Sequence, residues 1–490
     1  MKRSGSVTVF FVLLLVFMTS AIFAFLEVTR VNGLHVQARL CTRQASDTVR
    51  ASYQPELWKE YHVLFWREPD GGEHGFAKMN LRQKEQIEQN WKLHKKDVNF
   101  FVLPVHIQSV DVQKYALATD YYGEDFKKQA VMWTRQSLTE DAIREVWKVV
   151  TGADEKQLEQ NGAESETEVE HVLEELEGNR AEQKEPVLED HTGTGSGPAN
   201  DALLQENPLE WVKKIKQKGI LSVVIPGKKV SEHKIDRSDC LEYRTLHQGN
   251  WESGEEQEKW DSILFQLYCK AHFADATQKK EADSSLEYEM EYLIGGKNSD
   301  IENLKTTVNR LLFLREGANL LYLEGNPQKS QEAFQIALAI ASAAANPEFA
   351  EPVKQAVLAA WAYAESICDV RILLNGGKIP LVKTDAQWHT DLQNLQSCMQ
   401  KTDYEQEQTG LSYAGYLQIL LKATGEKKLV FRAMDLIEKE LNLRMDEMVS
   451  KTESLYIYET NALFWNLVQI GNTDLHKLQV QEQGRMSFCP

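Results

Sequence analysis

Uncharged residues, most of them apolar, follow one another from Ser6 to Leu26. A helix of about 20 such residues spans the ~30 Å hydrocarbon core of a bilayer at ~1.5 Å per residue. A cleavable signal peptide has a shorter apolar core of ~7–15 residues before a small-residue cleavage site. In this chain the apolar run "IFAFL" continues past the small residues 19–21. The pattern favours a retained transmembrane helix over residues 6–26, preceded by a cytoplasmic tip of residues 1–5, with a cleaved signal as the alternative.

The helical pattern continues beyond this stretch. Apolar residues recur at steps of three and four, which place them on one face of a helix. This face comprises Val31, Leu34, Ala38, Cys41, Ala45 and Val49. We therefore predict a stem helix over residues 27–50 that extends the transmembrane helix outward and packs against a globular head.

Residues 51–152 combine strand and helix signals. The β-branched run "FVLPVHIQSVDV" at 101–112 predicts a strand, with an irregularity where the alternation shifts at Ser109. The sequence from residue 123 onward predicts a helix that ends at Gly152. This part of the chain is predicted to be a mixed α/β region.

An acidic segment follows. Between Asp154 and Asp190 there are 14 acidic and 3 basic residues, and the sequence then becomes rich in Gly, Ser and Pro. Blocks of like charge repel and usually stay disordered, so residues 153–206 are predicted to be a disordered linker, within which "ETEVEHVLEELEG" could form a helix. The segment lacks the alternate-ligand spacing of a calcium loop, so a spacer is favoured over a calcium site or a site for a basic partner.

The C-terminal half is predicted to be mainly helical. The run "ILSVVIPG" at 220–227 predicts a second strand, within a strand-containing segment of residues 207–256. From residue 257 to 490 the pattern predicts a helical domain whose short connections favour antiparallel neighbours. Its clearest helix begins at a capping box of Ser299 and Glu302 and ends before Pro327. The predicted fold class is mainly α with some β (α+β).

Composition narrows the function. The chain has 490 residues, 42% of them hydrophobic, which is enough for more than one packed domain, and a net charge of −18. This charge argues against nucleic acid as a partner, because Lys and Arg must neutralise phosphates. The six cysteines are widely spaced, so disulfides and buried thiols both remain open, whereas structural zinc, which usually takes close ligand pairs, is disfavoured.

Two Gly-Gly-Lys turns, at 295–297 and 376–378, have the glycines that can cradle phosphate, but they lack the spacing of a P-loop. Glycine at helix ends is common, so both are interpreted as structural turns. Glu287 and Glu291 are interpreted as part of a solvated helix surface. The sequence contains no His-Glu-x-x-His motif and no recognisable catalytic motif, so we predict no enzyme, no cofactor and no metal site.

One group of charged residues stands out within an apolar segment. Glu365 and Asp369 are four residues apart and therefore share a helix face, and Arg310 and Arg315 lie on a neighbouring predicted helix. Paired carboxylates can act in acid–base catalysis when burial separates their pKa values. No nucleophile or His pair accompanies them, so an internal ion-pair network of these four residues is the favoured interpretation.

Three stretches resemble an uncharacterised bacterial family, a domain of unknown function. They are "YEMEYLIGGKNSDIENLKTTVNRLLFLREGANLLYL" (288–323), "AWAYAESICDVRILLNGGKIPLVKTDAQW" (360–388), and "GLSYAGYLQILL" with "RAMDLIE" (410–438). Members of this family begin with a short hydrophobic anchor and are similar in layout to the pseudopilin-like proteins of tight-adherence (Tad, Flp-type) pilus and secretion systems. The resemblance brings no enzymatic activity.

At the anchor, the tight-adherence pseudopilins show Gly, four residues, then Glu, with a second Glu and an Arg near the end of the segment. Gly5, Glu27 and Arg30 match this pattern, and Phe10 stands at the position of the first Glu. The resemblance implies processing between Gly5 and Ser6. In pilin-type assembly the first carboxylate pairs with a neighbour's amino terminus in lipid, which Phe cannot do.

These observations predict a single-pass membrane protein with an extracytoplasmic bulk. Basic residues flank the apolar stretch on both sides and do not decide its orientation, but a tip of five residues is too short to be the working end. We expect a structural or scaffold protein associated with a tight-adherence-type pilus or secretion apparatus, in contact with the membrane through residues 6–26. The alternatives are an anchored enzyme acting on surface polymers, which needs Glu365 and Asp369 in an open cleft, and a ligand-binding protein.

Overall fold

The structure is a computed structural model that describes residues 4–67, 76–94, 106–152, 155–182, 207–252, 260–278, 285–344, 346–395, 409–461 and 477–488. The chain divides into two compact units. The first, which we call the stem unit, comprises Met1–Ala130, Thr245–Glu256 and Leu443–Pro490. The second, the bundle unit, comprises Val131–Arg244 and Gln257–Asn442. Each unit is built from separated parts of the chain, unlike the consecutive domains predicted from the sequence.

Helices make up most of the secondary structure. In chain order they are α1 (Ser4–Ala51), α2 (Pro55–Tyr61), α3 (Ala77–His94), α4 (Asp120–Ser137), α5 (Glu140–Gly152), α6 (Glu155–Glu182), α7 (Pro208–Gln217), α8 (Ile220–Val224), α9 (Asp261–His272), α10 (Glu289–Gly295), α11 (Asp300–Gly325), α12 (Pro327–Ala343), α13 (Ala350–Leu374), α14 (Tyr413–Ala423) and α15 (Glu426–Leu441). The strands are β1 (His106–Leu117), β2 (Lys378–Ile379), β3 (Leu411–Ser412), β4 (Val449–Asn461) and β5 (Lys477–Ser487). The predicted class, mainly α with a small antiparallel β part, is confirmed.

The first half of α1 is apolar and exposed. Its large hydrophobic side chains from Val7 to Phe25 face outward, and the most apolar window has a mean hydropathy of 2.8. A helix of this length and composition is sufficient to cross a membrane. Exposed apolar surface of this extent is unusual for a soluble monomer.

The second half of α1 corresponds to the predicted stem helix, and it packs against a sheet. Five of the six predicted face residues are buried, and Val31 is half-buried. Leu34, Ala38 and Cys41 form a core with Tyr456 of β4 and its neighbours. Burial of a large apolar side chain contributes about 1.5–3 kcal/mol, so this face holds the stem to the sheet.

The sheet of the stem unit is antiparallel, in the order β1-β4-β5. The strand predicted at 101–112 is present as β1, of which residues 106–112 lie in the predicted range, and residues 101–105 lie outside the described residues. The pairing of β1 with β4 shifts register between Ile107 and Ser109, which confirms the predicted irregularity.

The bundle unit is organised around α13. Every residue of this helix from 356 to 374 is buried, and α6, α7, α8, α11 and α12 pack against it. The predicted boundaries of α11 are confirmed, because the hydroxyl of Ser299 accepts a hydrogen bond from the Glu302 amide and the helix ends at Gly325. Helix α13 ends at Leu374, directly before Asn375 and the Gly-Gly-Lys turn at 376–378.

The acidic segment is helical over its first part, where the sequence predicts a disordered linker. Helix α6 packs against α11 and α13, with Val169 and Val172 buried. Of the charged residues of α6 whose side chains are described, all but Glu159 are exposed, and an apolar or small residue returns at helical spacing on the other side. At the crossing with α11, the glycines Gly162 and Gly317 allow the two backbones to touch. The remainder of the predicted linker, residues 153–154 and 183–206, lies outside the described residues.

The predicted strand at 220–227 and the predicted helical end of the chain are both wrong. The run at 220–227 forms α8 and a following turn, and the described part of residues 207–256 contains no strand. A short apolar run suits a buried helix as well as a strand, and in this case Val223 and Val224 are buried next to other helices. The C-terminal domain predicted as helical to residue 490 ends in β4 and β5, whose pairing with β1 is remote in sequence.

Candidate functional site

A buried cluster of charged residues lies in the bundle unit. Glu365 and Asp369 share one side of α13, and Arg315 comes from α11. Lys383 and His389 come from the segment 380–395 after β2, which we call the strap. The side chains of Arg315, Lys383 and both acids are fully buried.

The charges within this cluster balance. Arg315 Nε lies 2.9 Å from Asp369 Oδ2. Lys383 Nζ lies 2.5 Å from Asp369 Oδ1 and also contacts Glu365 Oε1. Two cations therefore neutralise two carboxylates, which is the condition under which charges are tolerated in a protein interior.

Hydrogen bonds from the strap satisfy the Glu365 carboxylate. It accepts bonds from the Thr390 amide at 2.9 Å, from the Thr390 hydroxyl at 2.8 Å and from the His389 amide at 3.0 Å. The His389 ring nitrogen Nδ1 lies 3.1 Å from the same group. Glu365 is thus the attachment point through which the strap is held on α13.

Arg315 also contacts the strap. Its Nη1 donates to the carbonyl oxygens of Pro380 and Leu381 at 3.1 and 2.9 Å, and to the Tyr416 hydroxyl at 3.0 Å. Its Nη2 donates to Asn319 Oδ1 at 3.1 Å. The guanidinium therefore joins α11, the strap and α14 at one point.

The electrostatics keep Glu365 and Arg315 ionised. Burial alone would raise the pKa of Glu365, but Lys383 and His389 outweigh it and bring that pKa to about 2. Burial opposes the charge of Arg315, and Tyr416 and Asp369 more than compensate, so the Arg315 pKa is raised. Burial raises the pKa of Tyr416 to about 12. At neutral pH Glu365 and Arg315 are therefore charged, and Tyr416 is neutral.

The same residues resemble a metal-ligand set. One ligand atom each from Glu365, Asp369 and His389 lies within 4.8 Å of the others. Two carboxylates and an imidazole would suit a divalent transition-metal ion. The Lys383 ammonium contacts both carboxylates, however, and supplies the positive charge that an ion would bring. The geometry fits an internal ammonium better than a metal.

Aromatic rings cover the cluster. Trp388 of the strap stacks on Tyr322 with ring centroids 5.2 Å apart and meets Trp361 edge to face at 5.8 Å. Lys329 Nζ lies 4.7 Å from the Trp361 ring and 4.8 Å from the Trp388 ring. Within the cluster, His389 alone reaches the surface, with 21% of its side chain exposed. The cluster is not an open cleft.

Comparison with known proteins identifies the family. The sequence profile of a family of unknown function, DUF5702, matches residues 199–462, which is more than half of the chain. The chain belongs to the DUF5702 family. No curated protein and no solved structure matches it.

The DUF5702 match contains the whole buried cluster, and α1 and β5 lie outside the matched residues. It confirms the resemblance to a domain of unknown function and carries no link to tight-adherence pili.

The DUF5702 region brings together three of the four residues predicted to form a network. Arg315, Glu365 and Asp369 are in contact, whereas Arg310 pairs with Glu159 of α6 at 3.0 Å. Arg310 is five residues, about 1.4 turns, from Arg315 and faces a different neighbour. Periodicity alone placed both arginines near the acids, because α6 was not predicted to be a packed helix.

The sequence reasoning missed Lys383 and His389. Both lie in the irregular strap, where no periodicity indicates which side chains turn inward. Their proximity to α13 depends on the turn after that helix and on β2. No local signal in the DUF5702 region identifies them.

Both Gly-Gly-Lys turns of the DUF5702 region have structural roles. Gly296 ends α10 with φ 58°, and the guanidinium of Arg432 lies against it and donates to the Leu293 and Ile294 carbonyls. Gly376, with φ 87°, follows α13 and leads into β2. Positive φ explains glycine at both positions.

Glu291 of the DUF5702 region is buried, although the sequence suggested a solvated surface. Its carboxylate accepts hydrogen bonds from the Tyr413 hydroxyl at 2.7 Å and the Ala276 amide at 3.0 Å. Burial raises the Glu291 pKa to about 7, against the effect of these two donors. Asp435 behaves similarly, since burial raises its pKa to about 7.

At the stem, Glu27 and Arg30 form an ion pair. Arg30 Nη2 lies 2.6 Å from Glu27 Oε1, and Nε lies 3.1 Å from Oε2. Both side chains are buried where the exposed apolar half of α1 ends. Gly5 and Ser6 lie in the first turns of α1. Phe10 is 62% exposed.

Proposed function

We propose that this chain is a single-pass membrane protein whose residues 31–490 lie outside the cytoplasm, as a structural or scaffold component of a tight-adherence-type pilus or secretion apparatus. The observation that carries the proposal is α1. Its apolar half is exposed and membrane-length, and its other half is packed into the stem unit. A helix that continues from the lipid into the core of the stem unit would hold this unit at a defined distance from the membrane.

The disulfide of Cys368 supports an extracytoplasmic location. Cys368 is disulfide-bonded, whereas Cys41, Cys240 and Cys269 are buried free thiols. Structural disulfides persist mainly in oxidising compartments. Cys398 and Cys489 lie outside the described residues.

The association with a pilus or secretion apparatus is supported by the resemblance at the anchor. Glu27 and Arg30 match it, and they neutralise one another within one chain. Because Phe10 replaces the carboxylate that would pair with a neighbour's amino terminus, an accessory or scaffold role suits the chain better than that of a filament subunit.

Labelling of a surface cysteine tests the orientation. Glu348 is exposed, and a membrane-impermeant maleimide should label Glu348→Cys in intact cells. The described free thiols are buried, and the unsubstituted chain measures the background. Labelling that appears only after lysis would place the head in the cytoplasm.

Co-purification tests the association. A tagged native protein, solubilised in mild detergent, should retain pilus- or secretion-assembly proteins. In a matched control chain, an unrelated apolar helix replaces residues 6–26. This control shows whether co-purification requires the sequence of the transmembrane helix or only attachment to the membrane. Recovery of a monomer without envelope partners would contradict the scaffold proposal.

The positions of Glu365 and Asp369 do not support the enzymatic alternative. It requires Glu365 and Asp369 in an open cleft, and both are fully buried in ion pairs beneath the strap. Neither carboxylate is placed to meet a polymer substrate.

A further inference from the structure

A cavity of about 440 Å³ lies along the stem, between α1 and β5. Arg39, Arg43 and Arg50 contribute from α1, and Arg485 contributes from β5. All of its lining residues belong to the stem unit. We call this cavity, with its four arginines, the arginine groove.

The floor of the groove depends on a glycine. A Cβ atom at Gly484 would lie 2.7 Å from Ser46 Oγ and 2.8 Å from the Thr42 side chain. Ser46 and Thr42 are themselves buried, and the Thr42 hydroxyl lies 2.7 Å from the Tyr458 hydroxyl. The close approach of β5 to α1 makes a fixed polar floor between the arginines.

The groove is basic, although the chain is acidic. Its four arginines are opposed by Asp47 and Glu482 in the lining and by Glu453, which pairs with Arg485, whereas the whole chain carries a net charge of −18. Such a local reversal of sign attracts anions against the overall repulsion of the chain.

The arginines are available for a ligand. The side chains of Arg39 and Arg485 are 71% and 72% exposed, and their partners, Glu482 and Glu453, are half-buried carboxylates. Arg50 pairs with Asp47, three residues earlier on the helix, and both side chains are exposed. Ion pairs of an exposed arginine contribute only about 0–1 kcal/mol, so the arginines can turn to an anion in the groove. Arg43 is exposed and has no carboxylate partner among the described residues.

The position of the groove separates it from lipid headgroups. Arg39 follows Leu26 by 13 residues and Arg50 follows it by 24, or ~20 and ~36 Å of helix. The headgroup layer extends only ~5–8 Å beyond the hydrocarbon core. A helix that crosses the membrane upright carries the groove clear of that layer.

The lining indicates the kind of ligand. Besides the charged residues it contains Thr42, Ser46, Gln483 and Gly484, and none of its residues has a large apolar side chain. Arginine binds carboxylate and phosphate through paired hydrogen bonds. The exposed amide of Gln483, next to Arg485 in the lining, suits the hydroxyls of a sugar. Arg39 and Arg43 are ~6 Å apart along the helix, which suits anionic groups repeated along a chain.

We infer that the arginine groove binds an acidic glycan that carries carboxylate or phosphate groups. The site goes beyond the proposed scaffold role and would attach the stem to a charged polysaccharide near the membrane. That physiological setting rests on the proposed location, but binding in vitro does not, so the two can fail separately.

Binding is measured with the full chain in nanodiscs of zwitterionic lipid, which present no net anionic headgroup. The probes are oligogalacturonate, a phosphorylated maltohexaose and neutral maltohexaose. Both acidic probes or one of them should bind, less tightly as salt rises, and the tighter one identifies the anionic group. Failure of both acidic probes, or equal binding of the neutral one, overturns the inference. Tighter binding of hexaglutamate would instead assign the groove to an acidic peptide.

Substitutions locate the binding. Arg39→Gln with Arg43→Gln should raise the Kd roughly 10- to 100-fold, since each charge-assisted bond is among the stronger polar contacts. Arg82→Gln, at an exposed position on α3 outside the groove, is the matched control. If the double variant carries Arg43→Lys in place of Arg43→Gln, part of the affinity should return. Lysine keeps the positive charge of arginine but lacks its paired hydrogen-bond donors. Equal Kd values for the control and the double variant overturn the inference.

A substitution that is expected to tighten binding separates loss of the site from misfolding. Glu482→Gln removes a carboxylate that competes for Arg39 and should lower the Kd. A general loss of structure cannot tighten binding. If Glu482→Gln weakens binding while the circular dichroism spectrum is unchanged, the assignment of the ligand as an anion is wrong.

Discussion

Replacement of Lys383 by methionine removes one charge from the buried cluster while nearly preserving side-chain volume. Glu365 then loses its ammonium partner, and Asp369 keeps its ion pair with Arg315 and its hydrogen bond from Asn319. All of these side chains are fully buried, so water cannot replace the missing charge. We expect Lys383→Met to be among the most destabilising single substitutions in the bundle unit.

Two estimates of the magnitude agree. The pKa of Glu365 is about 2, and a free glutamate has a pKa of about 4.3, so the fold favours the ionised form by about 3 kcal/mol. Removal of one partner from a buried ion pair costs about 3–5 kcal/mol in general. Lys383→Met should therefore lower the free energy of unfolding by about 3–5 kcal/mol at neutral pH.

The pH dependence gives a second signature. The folded-state pKa of Glu365 is depressed, so its contribution is complete above about pH 4.3 and is lost as the pH falls through about 2. Burial is the largest effect on the Glu365 pKa, so without Lys383 we expect this pKa to rise above its ordinary value. The variant then gains from protonation of Glu365, and its deficit should shrink as the pH is lowered from about 7 to about 4.

Urea unfolding of the full chain in detergent, followed by far-ultraviolet circular dichroism, measures both effects. Lys354→Met is the matched control on α13, the helix that carries Glu365, because Lys354 pairs with the exposed Glu351 and should contribute less than about 1 kcal/mol. Glu365→Gln combined with Lys383→Met should recover part of the loss. A cost below about 1 kcal/mol for Lys383→Met, or a deficit that grows on acidification, would refute the reasoning.

Three further outcomes are expected. Gly317→Ala should destabilise the bundle unit by roughly 1–3 kcal/mol, because its Cβ would lie 2.1 Å from the Leu158 carbonyl oxygen. Gly325→Ala has open space and serves as its control, and equal melting temperatures for the two variants would contradict the close crossing. Burial raises the pKa of Glu291 to about 7, so stability should fall by about 3 kcal/mol as the pH rises from about 4.3 to 7. Glu291→Gln should flatten that slope in urea titrations, and an unchanged slope would count against it. Peptide mapping without reduction should recover Cys368 in a cystine, whereas a free thiol there would remove the support for an oxidising compartment.

Sequence reasoning succeeded where the signal is local. The buried face of the stem follows from steps of three and four, the start of α11 from a Ser299 cap, and the bulge near Ser109 from a shift in alternation. Each of these depends on residues within one or two turns of one another. The same reasoning failed for α6, because the many acidic residues masked a narrow inward stripe that includes Val169 and Val172.

The candidate site was only partly predictable. The i, i+4 spacing of Glu365 and Asp369 and their apolar surroundings indicated a buried pair, and Arg315 was correctly included. Lys383 comes from an irregular strap, and Arg310 turns toward Glu159 instead. Periodicity shows which face of a helix is buried, but the neighbour that covers this face depends on how the whole chain packs.

By itself, the sequence determined that α1 has a membrane-length apolar half and a stem half with one buried face, and that the C-terminal half is rich in capped helices. These properties arise from hydrophobic periodicity and capping, which act between near neighbours. Only the tertiary structure decided that β4 and β5 return to pair with β1, that Lys383 neutralises two acids, and that Arg485 joins three stem arginines around one groove. Those contacts join residues far apart in the chain, and they form because the packed structure as a whole lowers the free energy.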